Sequence, residues 1–174
     1  MYDLVGDIHG HAAELTQLLD QLGYRNNSGI YSHQDRKMVF VGDFVDRGPQ
    51  IQEVLETVRP MVDAGTALAV MGNHEFNAIA YHSPDPDNPG QYIRPRIEKN
   101  IRQHAETVRQ VGDLAEYIEW FRSLPMWLEL DGLRVVHACW DSSWMEVIES
   151  ALLRHGGVTP GFMSAAHVKG SPLF

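Results

Sequence analysis

Three times in its first half the chain runs from a short apolar stretch into a glycine-flanked loop bearing carboxylate, imidazole or amide side chains. Met1 to Val5 reads as a strand that enters Gly6-Asp7-Ile8-His9-Gly10. Ala12, Leu15, Leu18, Leu19 and Leu22 then recur at helical spacing, and Gly23 supplies the stop. Met38 to Val41 is a continuous apolar run suited to a strand covered on both faces. It leads into Gly42-Asp43-Phe44-Val45-Asp46-Arg47-Gly48, then a helix through Val54, Leu55, Val58 and Val62 that Pro60 is expected to distort or shorten. Leu68 to Met71 repeats the pattern, entering Gly72-Asn73-His74-Glu75 and a short apolar helix. Strands alternating with helices predict an α/β fold with an at least partly parallel sheet.

That alternation also predicts where chemistry gathers. In an open α/β sheet, ligands collect outside the carboxyl ends of the strands, so the loops carrying Asp7, His9, Asp43, Asp46, Asn73 and His74 should converge. His137 joins them from the end of the apolar run Leu133 to Val136. Carboxylate, imidazole and amide oxygen together suit a divalent ion such as manganese, iron or zinc. The absence of thiolate partners speaks against a structural zinc site. Taken singly, an Asp-Gly pair is usually a turn and a lone histidine usually a surface or core residue. Three such loops in order, each after an apolar strand, make coincidence a poor account.

The rest of the chain is expected to shape and close this arrangement. His82 to Pro95 is proline-rich and reads as a long surface loop bordering the cleft. Ile97 to Val111 and Leu114 to Leu124 read as two helices inserted over the sheet, the whole insertion spanning about 82–124. Asp131-Gly132 between two apolar runs signals a hairpin. A further helix is expected from about Ser143, with Ser143 and Glu146 at capping-box spacing, and no element is assigned to Gly161–Phe174.

Composition narrows the function classes. The 174 residues fit a single domain, 44% hydrophobic and 21% charged, which excludes a fibre or a disordered chain. A net charge of −9 argues against broad attraction to nucleic acid, while a bound cation can still reverse the sign locally for a phosphorylated substrate. The nearest approach to a basic patch, Arg94, Arg96, Lys99 and Arg102, is read as a solvated helix face. One cysteine, Cys139, excludes an internal disulfide. With no membrane-length apolar run and no signal peptide, a cytoplasmic location is expected.

The three loops, with their Gly-Asp-x-His-Gly, Gly-Asp-x-x-Asp-Arg-Gly and Gly-Asn-His-Glu patterns, resemble the calcineurin-type metallophosphoesterases. The Asp46-Arg47-Gly48 ending is similar to the serine/threonine phosphoprotein phosphatase branch, which includes symmetrical diadenosine tetraphosphatases. The resemblance runs from Met1 to about Cys139. It implies a β-sandwich of mixed sheets flanked by helices, with two divalent ions between the sheet edges. By motif match, Asp7 and His9 hold one ion, Asn73 and His137 the other, and Asp43 bridges them. Such a pair, about 3.5–4 Å apart, activates a bridging water for in-line attack. The resemblance further implies His74 as proton donor to the leaving oxygen, Asp46 as its orienting carboxylate and Arg47 as a clamp on the phosphoryl oxygens.

The pattern departs from the family in one respect. One more histidine is expected after His137, in a Gly-His pair on a late strand, and the sequence has none. The chain is therefore expected to lack the last strands and the final ligand. His155 and His167 remain as candidates, His155 being accounted for by its place at a helix end. His11 is expected at the mouth of the site, and His33, His82 and His104 in solvent. The leading expectation is a protein-phosphatase-type phosphomonoesterase with manganese as the preferred metal. A hydrolase of dinucleoside polyphosphates is the alternative, and an inactive metal-binding or interaction module a third. The partner is thus a phosphorylated protein, a small phosphoester or a nucleotide, with neither nucleic acid nor membrane involved.

Overall fold

A computed structural model describes residues 1–173. The elements follow in order: β1 (Tyr2–Val5), α1 (Ala12–Gln21), β2 (Arg25–Asn27), β3 (Ile30–Ser32), β4 (Lys37–Phe40), α2 (Ile51–Asp63), β5 (Ala67–Ala69) and α3 (Asn73–His82). After the loop come α4 (Glu98–Gln110), α5 (Leu114–Ser123), β6 (Trp127–Leu130), β7 (Leu133–Val136), α6 (Ser142–His155) and α7 (Pro160–His167).

The expected α/β class is what forms. Strands β1, β4 and β5 make a parallel sheet in the order β1-β4-β5, with Tyr2 opposite Lys37 and Met38 opposite Ala67. Because successive side chains leave opposite faces of a strand, β4 serves two layers at once. Met38 and Phe40 enter the main core with Leu15, Leu19, Val54, Leu55 and Val58 from the helices. Val39 points the other way, packing with Val70 and with Val135 of the β6–β7 hairpin. The hairpin pairs antiparallel from Trp127–Val136 to Leu130–Leu133, turning at Asp131-Gly132 as its sequence predicts. Two sheets thus meet face to face, with helices on the far side of the first.

Several local expectations are corrected. Helix α2 continues through Pro60 to Asp63, since Pro60 falls in the last turn and the carbonyl it deprives belongs to exposed Glu56, where water can serve it. Helix α6 is capped by Asp141, which accepts the Ser143 and Trp144 N–H groups at 3.0 and 3.2 Å, so Ser143 lies inside the helix. Helix α7 forms where the sequence pattern predicts no element; Thr159 caps it with Pro160 at its first turn. Phe174 lies outside the described residues. The β2–β3 hairpin is a further departure from the sequence pattern, although Ser28 and Gly29, with φ of 54° and 92°, are a turn suited to it.

Candidate metal and phosphoryl site

Parallel strands release their chains at the same edge, so the loops after β1, β4 and β5 come together there. They are stitched to one another through the backbone. The His9 N–H donates to the Asp43 carbonyl at 2.8 Å, Gly10 to Phe44 at 3.0 Å, and Gly48 back to His9 at 2.8 Å. A side chain on Gly48 would run into the His9 carbonyl, and one on Gly72 into Asp43 and Glu75. Those glycines are required by close approach of neighbouring backbone.

The chain pays for this convergence in backbone strain. Asp7, His9, Asp43, Asp46 and Arg47 have φ of 53°, 44°, 59°, 66° and 72°, the left-handed region that side chains other than glycine disfavour. Glu75, buried in the first turn of α3, holds the second loop in place. Its carboxylate accepts N–H groups from Asp43 and Phe44 at 2.8 Å each, Gly72 at 3.0 Å and Val45 at 3.4 Å. Burial and the Asp43 charge push the Glu75 carboxyl upward in pKa, opposed by these backbone donors. Asp43 in turn accepts the His74 N–H at 3.0 Å, capping the same helix.

Asp43 lies at the centre of the donor set. Its Oδ2 lies 3.5 Å from His9 Nε2, 3.6 Å from His137 Nε2 and 4.0 Å from His74 Nε2. Potential ligand atoms fall into two groups sharing Asp43: one with His9 and His74, the other with Asp7 and His137. The tautomers favour cation binding. His9 Nδ1 is 2.8 Å from the Val45 carbonyl, which leaves Nε2 as a lone pair, and that buried atom has no hydrogen-bond partner. His137 Nδ1 likewise meets the Val41 carbonyl at 2.7 Å, so its Nε2 lone pair faces Asn73 Oδ1 at 2.9 Å. Two lone pairs opposed at that distance, and an orphaned imidazole nitrogen beside a carboxylate, fit divalent cations shared between these groups.

The residues expected for proton transfer also come together. His74 Nδ1 lies 2.6 Å from Asp46 Oδ2, and its Nε2 lies 3.4 Å from the guanidinium of exposed Arg47. Burial works against ionised Asp46, but donors from His104, His74 and Thr107 outweigh it and hold the carboxyl far below the usual range. Burial likewise lowers His74, yet the bond to Asp46 and the charges of Asp43 and Asp46 leave its pKa raised.

Other histidines depart from expectation. His104 is 2% exposed and bonded to Asp46, and His82 is half-buried, because α4 lies across the loop that carries Asp46. His33 is half-buried, its Nδ1 accepting the Asp35 N–H at 3.0 Å. Arg94 is half-buried, bound to Asn100 and Gln103, and exposed Arg96 stacks on Tyr92 at 3.4 Å; both precede α4, on whose exposed face only Lys99 and Arg102 of that patch lie. His11 is exposed and shares a shallow hollow with Asp7. His167 bonds back to Met163 at 2.8 Å and stacks on Phe76, and His155 packs edge-on to Phe162; neither belongs to a metal-capable group among the described residues. Sequence reasoning misses the supporting roles of Glu75, His104 and Thr107, whose partners lie far along the chain.

A calcineurin-like phosphoesterase is the class of protein that this fold and donor set define: the chain belongs to that family, whose description matches residues 2–166. Among relatives, it is 49% identical over 142 residues to the asymmetrical bis(5′-nucleosyl)-tetraphosphatase PrpE of Halalkalibacterium halodurans, covering 79% of this chain and 56% of the relative. The PrpE of Oceanobacillus iheyensis is 44% identical over 141 residues, covering 78% and 54%. The chain therefore spans about half the length of these curated relatives. Among solved structures, the cold-active protein-tyrosine phosphatase of a psychrophilic Shewanella shares the fold, with a TM-score of 0.59 at 17% identity over 99% of this chain and 56% of that one. No helix among the described residues is long and apolar enough to cross a membrane.

Proposed function

We propose that the chain carries the phosphoryl-transfer centre of a metal-dependent hydrolase of dinucleoside polyphosphates, splitting the bridging chain unequally. The observation that carries this reading is the shared Asp43, with His9 and His137 nitrogens at 3.5 and 3.6 Å and the His74–Asp46 pair beside it. The substrate class is supported by the relatives named as asymmetrical tetraphosphatases. They favour the dinucleoside alternative over the phosphoprotein substrate that led the sequence-based expectations.

Asp7, His9, Asp43, Asn73 and His137 would hold two divalent ions, with manganese the metal we propose. When bound, such ions make water nucleophilic near neutral pH and neutralise phosphoryl oxygens. Arg47, whose guanidinium lies 3.4 Å from His74 Nε2, would grip two phosphoryl oxygens with its planar fork. His74 donates its Nε2 proton to the oxygen leaving phosphorus, so that the departing nucleotide leaves with its charge reduced. Asp46 keeps the ring oriented and stabilises its protonated form. Glu75 keeps Asp43 where these groups meet.

Incubation of the manganese-loaded chain with diadenosine tetraphosphate, and in parallel with a phosphopeptide, tests the reading. Metal-dependent appearance of AMP and ATP in equal amounts is expected. Two equivalents of ADP would overturn the unequal cleavage, and preferential turnover of the phosphopeptide would overturn the substrate class.

A further inference from the structure

Helix α4 exposes much of its length, yet it buries one stripe of uncharged polar groups: Asn100, His104 and Thr107, one below another at helical spacing. Two of the three end on the same carboxylate. His104 Nδ1 lies 2.7 Å from Asp46 Oδ1, and Thr107 Oγ1 donates to that oxygen at 2.6 Å while accepting the Asp46 N–H at 2.9 Å. Oδ2 is left for His74 at 2.6 Å. On its other side, His104 Nε2 lies 3.2 Å from His82 Nε2 at the end of α3.

We infer that His104 is a positioning residue for the phosphoryl site, locking Asp46 so that its second oxygen holds the His74 ring in register. The inference rests on the reading of His74 as proton donor. A carboxylate turns about its last bond unless both oxygens are occupied; His104 and Thr107 occupy one and so fix the direction of the other. The hydrogen-bond order is self-consistent. With Nδ1–H given to Asp46, the neutral His104 ring has only a lone pair at Nε2, and His82 supplies the N–H it needs. A histidine at this position merely to fill space would need neither contact. Held this way, His74 carries its Nδ1 proton toward Asp46 and presents Nε2 toward Arg47 and the metal-capable groups. The helix expected only to shape the substrate cleft thereby also sets the geometry of proton transfer.

Histidine side-chain proton–nitrogen spectra of this chain without metal test the inference independently of activity. The low-field Nδ1 proton of His74, assigned by its loss in His74→Asn, should shift and broaden in His104→Leu and in His104→Gln. Asparagine places its amide nitrogen where Nδ1 was, whereas glutamine's donor sits one atom further out, so His104→Asn should retain the signal. An unchanged His74 proton in His104→Leu, or indistinguishable spectra for the Asn and Gln variants, overturns the inference. The Asn–Gln comparison decides the matter if the leucine variant does not fold. With manganese, His104→Gln should lower turnover of phenyl phosphate roughly 10–100-fold while sparing dinitrophenyl phosphate, whose leaving group needs no proton. If His74→Asn shows no such selectivity, the reading of His74 is what fails. If His74→Asn shows it and His104→Gln does not, the role of His104 fails.

Discussion

Glu75 Oε2 accepts the backbone N–H of Asp43 at 2.8 Å, so the position of the shared carboxylate depends on a buried acid thirty-two residues away in sequence. With Phe44, Val45 and Gly72 donating to the same side chain, Glu75→Ala strands four backbone donors. The variant should lose roughly 3–5 kcal/mol of stability, with Glu75→Gln falling between it and the parent. Urea unfolding measures this, and a change below about 1 kcal/mol in Glu75→Ala would show that water replaces the carboxylate.

Gly72 leads to a second expectation. A methyl group there meets the Asp43 side chain and backbone, whereas one at Gly112 meets nothing. Gly72→Ala should weaken metal binding and lower the unfolding midpoint, and Gly112→Ala should do neither. Calorimetric titration of both with manganese separates the outcomes.

Metal binding should also register as stability. A ligand at a hundredfold its dissociation constant stabilises by about 2.7 kcal/mol per site, so manganese should raise the thermal midpoint of the parent. His9→Ala removes the buried nitrogen that has no protein partner and should abolish much of that rise. An undiminished shift in both His9→Ala and Asp43→Asn would place the metal elsewhere.

Acid should act through His82. Burial first, then the charges of His104 and Arg96, lowers its pKa to about 4 from the ordinary 6.5. A base whose pKa is depressed by folding takes up its proton more readily when unfolded. Its contribution to stability is therefore present above pH 6.5 and is lost as the pH falls toward about 4. The stability of the parent should drop across that window more steeply than that of His82→Gln, as measured by urea unfolding at a series of pH values; parallel profiles would contradict this.

The sequence reveals the loops far better than what supports them. Asp7, His9, Asp43, Asp46, Asn73 and His74 sit in short glycine-punctuated segments at strand ends, where local pattern and sheet topology predict the same convergence. His104 escapes because its partner Asp46 is fifty-eight residues away and the stripe it shares with Asn100 and Thr107 is polar. A search for apolar faces finds the helix but passes over such a stripe; three uncharged polar residues at helical spacing are the available signal. Helix α7 left a plainer mark, Thr159 followed by Pro160, which hydropathy alone does not weigh. The end of α6 shows the converse: Ser143 and Glu146 have the right spacing for a cap, and Asp141 takes the position.

The left-handed residues of the first two loops set stability and chemistry against each other during adaptation. Glycine would relieve roughly 1–2 kcal/mol at such positions, before its own entropy is counted. Selection for heat resistance alone would therefore favour erasing Asp7 and Arg47, whose side chains are exposed, whereas the buried hydrogen bonds of His9, Asp43 and Asp46 offset the strain at those positions. A lineage that keeps those two reveals, in that tolerance of strain, what it is being selected to do.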